Sequence, residues 1–198
     1  MGAAAEKLKL TYAEYLALER ETGVRYEFVD GDVYAMAGGS LAHARVTAAA
    51  IAELSFLLRP GRGRCRVYSP DGKIHVLVGG KSYYPDASVV CGPVVSAPID
   101  AHAITNPSLI VEVLSPDTER NDRGSKFTAY QSIPSLRHYL LVSQDEHRVE
   151  HYERVREGQW TLSIYGPGAS VTLADLGGAV EVDALYAGED QERPDGVA

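Results

Sequence analysis

Between Leu41 and Leu58, Ala50, Ile51, Leu54, Leu57 and Leu58 recur three and four positions apart, the spacing of one buried helix face. Ser40 stands where a cap is needed and Arg59-Pro60-Gly61 stops the helix. An earlier helix is predicted from Thr11 to Gly23, with Glu14 completing a capping box. The alternating segments "RYEFV" and "DVYAM" flank Asp30-Gly31, a two-residue hairpin signal. Strands are predicted around "CRVYS", "KIHVLV", "YYPDASVV" and "SLIVEVLS". A polar loop, "SPDTERNDRG", follows, and then a helix from about Ser125 to Ser132 that Pro134 ends. "RHYLLVS", "RVEHYER" and "QWTLSIY" read as a strand meander, and the pattern weakens from Gly166. The order of elements predicts an α/β fold with a central mixed β-sheet flanked by helices.

In two of these strands a carboxylate interrupts an otherwise apolar run. Asp86 follows Pro85 in "SYYPDASVV", and Glu112 sits at the centre of "LIVEVL". A carboxylate buried in a strand is costly unless it is paired or holds a metal. Proline cannot donate to a sheet ladder, so Pro85 marks an edge, end or bulge from which Asp86 could be aimed into a cleft. The plainer reading of Asp86 is an ordinary Pro-Asp turn, and that of Glu112 a solvated sheet face or an arginine pair. Lys126 follows shortly, with Asp122 four residues before it and Tyr130 four after. It is either half of a surface i,i+4 pair or an ammonium delivered beside the two carboxylates. Glu27, between Tyr26 and Phe28, and His43, in the first turn of the second helix, could join them. Their plainer readings are a solvent-facing strand residue and a packed core histidine.

Size and charge narrow the classes. The chain has 198 residues, 45% of them hydrophobic and 23% charged, as in one globular domain spanning 1–186; the acidic residues 187–198 read as a disordered tail. No apolar run is long enough to cross a bilayer and no signal peptide is evident, so no membrane association is expected. The two cysteines, Cys65 and Cys91, lack metal-ligand spacing and read as reduced thiols of a cytoplasmic protein. A net charge of −8 argues against a broadly basic nucleic-acid binder. Yet Arg59, Arg62, Arg64, Arg66, Lys73 and Lys81 face one acid, Asp71, over a short stretch that could hold a phosphate backbone or be a solvated hairpin edge. Neither a nucleophile elbow nor a phosphate-binding loop is present.

"YEFVDGDVYAM", "SLAHARV", "YYPDASVV", "LIVEVLSPDTERNDRGSKFTAY" and "RHYLLVS" together resemble the bacterial Uma-two family of endonucleases, within the PD-(D/E)XK nuclease superfamily. The resemblance runs from about Tyr12 to Val182. It implies a restriction-endonuclease-like fold and a metal-dependent endonuclease hydrolysing phosphodiester bonds in DNA. It further implies that Asp86, Glu112 and the carbonyl of Val113 bind Mg²⁺ or Mn²⁺, and that Lys126 replaces the lysine the superfamily carries where Leu114 stands. Glu27 and His43 match further recurring family positions. A homodimer would let two sites cut two strands. The competing expectations are a catalytically inactive nuclease-fold binding protein and a hydrolase of small phosphodiesters.

Overall fold

The structure, a computed structural model, describes residues 9–36, 38–59 and 64–188. Helix α1 (Tyr12–Thr22) begins at a complete Thr11–Glu14 capping box and ends at Gly23, whose φ of 66° is left-handed. Strands β1 (Tyr26–Val29) and β2 (Asp32–Ala35) form the expected hairpin. Asp30 and Gly31 both take positive φ, as a two-residue turn matched to strand twist requires. Helix α2 (Leu41–Leu57) starts at Ser40, whose hydroxyl accepts the His43 N–H, and buries Val46, Thr47, Ala50, Leu54 and Leu57.

The expected single strand over "YYPDASVV" is two strands in two different sheets. After β3 (Cys65–Tyr68) and β4 (Ile74–Val76), β5 (Lys81–Tyr83) belongs to the sheet ordered β2-β1-β5-β4-β8-β7. Strand β6 (Ala87–Cys91) belongs to the sheet ordered β12-β11-β10-β9-β6-β3. The break falls at Tyr84-Pro85-Asp86, where proline has no N–H to continue a ladder. The α/β, restriction-endonuclease-like expectation holds, with its mixed strands divided between these two sheets. Each sheet contains one parallel pair, β4 with β8 and β9 with β10. The connection after β6 folds a short hairpin that the sequence reading omitted, β7 (Ser96–Ala97) and β8 (Asp100–Ile104).

Strand β9 (Leu109–Leu114) is buried along its whole length and lies between β6 and β10. The segment expected as a polar loop is helical from Glu119. Glu119–Asn121, a π-helical turn over Asp122–Lys126, and Phe127–Tyr130 form one helical segment, α3. The meander β10 (His138–Ser143), β11 (Val149–Arg156) and β12 (Gln159–Tyr165) stands as expected. Beyond Gly166, where the periodicity faded, β13 (Ser170–Leu173) and β14 (Gly178–Glu181) form a hairpin. Val171, Leu173, Val180 and Leu185 join α2 and one face of the sheet containing β9, whose longer strands make it the larger of the two six-stranded sheets, in a core. Each of these strands has four residues, too few for a clear period-2 signal. The expected acidic tail lies, from residue 189, outside the described residues.

The opposite face of the larger sheet forms the second core. Val90, Ile110, Leu114 and Leu141 meet Ile74, Val76 and Tyr83 of the smaller sheet and Tyr130 of α3. Odd-numbered residues of β9 point to the first core and even-numbered ones, Glu112 among them, to the second.

The expectation of reduced thiols is corrected. Cys65 and Cys91 are directly paired across β3 and β6 and form a disulfide, with Cα atoms 3.9 Å apart. They flank the neighbouring hydrogen bond from the Gly92 N–H to the Arg64 carbonyl, so they occupy a close, non-hydrogen-bonded pair of the ladder. The cysteine argument for a cytoplasmic protein falls with this pairing. No helix among the described residues is long and apolar enough to cross a membrane.

Candidate active site

Pairing between β6 and β9 ends at Ala87 and Val111. One step further, the Val113 N–H would have lost its partner, and the Asp86 carboxylate replaces it: Oδ2 accepts that N–H at 2.7 Å. Asp86 is thereby fixed at the seam between the two sheets. Its Oδ2 also faces His43 Nε2 at 3.4 Å, and its Oδ1 lies 3.5 Å from the Thr47 hydroxyl. His43 and Thr47 lie one helical turn apart on α2. Gly39 allows the chain to lie against the His43 ring, because a Cβ there would fall 2.7 Å from Nδ1. A hydrogen bond to Asp86 raises the His43 pKa above the ordinary imidazole value against the pull of burial, and a backbone hydrogen bond to Val113 adds to it.

Glu112 projects into the second core, and Lys126 reaches it from α3. The ammonium lies 2.8 Å from Glu27 Oε1, 3.3 Å from Glu112 Oε1 and 3.3 Å from Asp122 Oδ1. Tyr130 donates to the same Glu112 Oε1 at 3.1 Å. The π-helical turn makes this convergence possible: its wider winding turns both Asp122 and Lys126 inward, and both are buried. Tyr139 anchors the turn by donating to the Asp122 carbonyl at 2.9 Å, and its ring stacks on Phe127. Asp122 and Lys126 are therefore not an exposed i,i+4 pair, and Glu27 does not face solvent. The side chains of Glu27, Glu112, Asp122 and Lys126 are 14%, 5%, 2% and 8% exposed.

Charge in this cluster does not balance. Glu27, Glu112 and Asp122 are three carboxylates around one ammonium, and Asp86 stands nearby with His43 as its own partner. Burial, then the neighbouring Asp122, Asp86 and Glu27, push the Glu112 pKa well above the carboxylate range against the pull of Lys126. Burial lowers the Lys126 pKa, but Glu112, Glu27 and Asp122 outweigh it and hold the ammonium charged. The two shifts pull in opposite directions for the pair as an ion pair. They agree once the surplus is counted: Lys126 stays protonated, and Glu112 is the carboxylate that takes up a proton most readily.

The donor chemistry suits a hard divalent cation. Glu112 Oε1 is taken by Lys126 and Tyr130, whereas Oε2 has no hydrogen-bond partner among the described residues. Asp86 Oδ1 has only the long Thr47 contact. Among the described residues no three His, Cys, Asp or Glu side chains stand together as a metal cluster. A cation here would rest on two carboxylates, a backbone carbonyl and water, a set that Mg²⁺ accepts because it keeps several waters.

The sequence-predicted residues thus fall into two touching groups, Asp86 with His43 and Val113, and Glu112 with Lys126 and Glu27. Asp122 and Tyr83 belong with the second group. The i, i+4, i+8 spacing of Asp122, Lys126 and Tyr130 was the available signal for Asp122. Of the six cations in the expected basic patch, Lys73 and Lys81 are paired with acids. Lys73 is buried between Glu19 (2.6 Å) and Asp100 (2.9 Å), Lys81 pairs with Asp30, and Asp71 pairs with Arg25. Arg62 lies outside the described residues. Two surface grooves, of 440 and 320 Å³, share Asp71, Ala101 and His102 in their linings, away from the carboxylates of the candidate site.

Residues 12–184 match the family model described as "Uma2: Putative restriction endonuclease". The uncharacterized protein slr1290 of Synechocystis is 36% identical over 180 residues, covering 91% of this chain and 93% of its own. The uncharacterized protein sll1609 of the same organism is 36% identical over 168 residues, covering 83% and 93%. A crystal structure from Anabaena variabilis, described as a putative nuclease belonging to DUF820, superposes with a TM-score of 0.72 at 18% identity. That match covers 89% of this chain and 97% of the other, and at such identity it speaks for the fold.

Proposed function

The chain belongs to the Uma2 family of restriction-endonuclease-like proteins, and from that premise we propose that it is a metal-dependent endonuclease hydrolysing phosphodiester bonds in DNA. The observation that carries this reading is the surplus of buried carboxylate around Lys126, with Glu112 Oε2 and Asp86 Oδ1 turned to no strong partner. Three buried carboxylates around one ammonium are costly as a purely structural device. They become favourable when a divalent cation shares the site.

In this reading Asp86, Glu112 and the Val113 carbonyl hold Mg²⁺ or Mn²⁺, which would supply Lewis acidity toward a phosphate oxygen and a water of lowered pKa. Lys126 supplies a fixed positive charge where negative charge grows on the phosphate in the transition state. Glu27 holds Lys126 in place through its 2.8 Å contact. His43, kept protonated more readily by Asp86, stands at the more open edge of the site, where it can meet a phosphate oxygen. Asp86 fixes the strand seam, so the metal-binding carboxylate and the Val113 backbone move as one unit. A homodimer would present two such sites to the two strands of a duplex.

One observation favours a second reading. Lys126 already satisfies parts of three carboxylates, as it would in an inactive nuclease-fold protein that binds nucleic acid without cutting it. Calorimetric titration of Mn²⁺ separates the two. Binding by the wild type that vanishes in Asp86→Ala and Glu112→Ala supports the endonuclease. No binding by the folded wild type would make the cluster structural and leave the inactive reading standing.

A further inference from the structure

Tyr83 ends β5 on the face that looks toward Lys126. The register pairs Phe28 with Ser82, which sets Glu27 opposite Tyr83 on the same face. The Tyr83 ring meets Tyr130 edge-on at 5.2 Å, and Lys126 Nζ lies 5.8 Å from its centroid. Its hydroxyl is fully buried and has no hydrogen-bond partner among the described residues. The contrast with its neighbours is sharp. Tyr15 donates to the Tyr26 carbonyl, Tyr84 to Glu19, Tyr130 to Glu112, and Tyr139 to the Asp122 carbonyl. Lys73, the other buried lysine, sits in a closed network in which Glu19, Asp100, Tyr12, Tyr84 and Ser82 all have partners.

A buried hydroxyl left without a partner costs about as much as a lost hydrogen bond, and phenylalanine would fill the same space without it. Burial, and next the charge of Glu27, raise the Tyr83 pKa, so the group is a neutral O–H that can both donate and accept. Its charged surroundings are Glu27, Lys126, Asp30 and Glu112. Buried waters typically satisfy such polar orphans where two or more polar groups converge.

We propose that Tyr83 is a positioning residue of the candidate active site: its hydroxyl binds a buried water that bridges to Glu27 and Lys126 and fixes the ammonium for its role. The inference rests on the endonuclease reading for its catalytic consequence, but the water site itself does not.

The test compares wild type, Tyr83→Phe and Tyr139→Phe in three measurements: a crystal structure of the metal-free protein, thermal melting, and plasmid cleavage kinetics with Mg²⁺. The expected result is an ordered water within hydrogen-bond distance of Tyr83 Oη that is absent from Tyr83→Phe. Tyr83→Phe melts no more than about 2 °C lower than wild type, whereas Tyr139→Phe, which removes the hydrogen bond to the Asp122 carbonyl, melts lower than Tyr83→Phe. Cleavage by Tyr83→Phe loses about ten-fold or more in kcat with KM unchanged. A Tyr83 hydroxyl with no water beside it, a variant that cleaves at the wild-type rate, or a melting loss equal to that of Tyr139→Phe would each overturn the proposal. A wild type that holds the water yet cuts no DNA would sustain the water site and overturn the endonuclease reading instead.

Discussion

Lys126 Nζ lies 2.8 Å from Glu27 Oε1, and this contact joins the helical segment between β9 and β10 to the β1–β2 hairpin of the other sheet. Glu112 and Asp122 complete a buried shell around the same ammonium. Removing the cation leaves three largely buried carboxylates without their shared counter-charge. Lys126→Met is expected to cost about 3–5 kcal/mol at pH 7, with part of the loss recovered as the carboxylates protonate in acid. Urea unfolding at pH 7 and pH 5 checks this, and equal stability to wild type would refute a charged cluster.

The Cys65–Cys91 bridge closes a chain segment with a sequence separation of 26. On loop-closure entropy, losing it should cost about 3 kcal/mol. The double variant Cys65→Ser/Cys91→Ser, and wild type in reductant, should show matching drops in melting temperature. A reductant-insensitive wild type with free thiols would contradict the pairing.

On the first-core face of the larger sheet, His138 Nδ1 lies 2.9 Å from His151 Nε2, and His138 Nε2 lies 2.5 Å from Asp175 Oδ1. Burial, then the neighbouring His138, lower the His151 pKa to about 4. An unfolded histidine titrates near about 6.5, so the unfolded chain takes up the proton first as pH falls. The neutral imidazole therefore contributes stability that is fully present above about pH 6.5 and is lost progressively down to about pH 4. Urea midpoints measured from pH 7.5 to 4.5 should fall less steeply in His151→Gln than in wild type. Parallel slopes would show that His151 does not titrate in this window.

Much of this was legible because local rules and the fold agree. Thr11 with Glu14, Ser40, and Asp30-Gly31 each specify an element boundary chemically, and each boundary stands. Asp86 and Glu112 stood out as charges where the surrounding pattern demanded apolar residues, and Lys126 by following them closely. The residues that escaped notice depend on tertiary context. Pro85 signalled a break in the ladder but not that the two halves enter different sheets. Asp122 shares its i, i+4 spacing with any exposed ion pair, and its place in a buried π-helical turn is not announced by a polar run. Tyr83 read as an ordinary strand aromatic; what sets it apart is the missing partner of one oxygen. The pairing of Cys65 with Cys91 needed the β3–β6 register, which spacing alone does not give.

The most direct measurement is nicking of supercoiled plasmid DNA in Mg²⁺ by wild type, Asp86→Asn and Glu112→Gln, each verified as folded. The account predicts metal-dependent nicking by the wild type and a loss of about 10²-fold or more in each variant. A folded wild type that leaves the plasmid intact, or variants that cut as fast as it does, would contradict it.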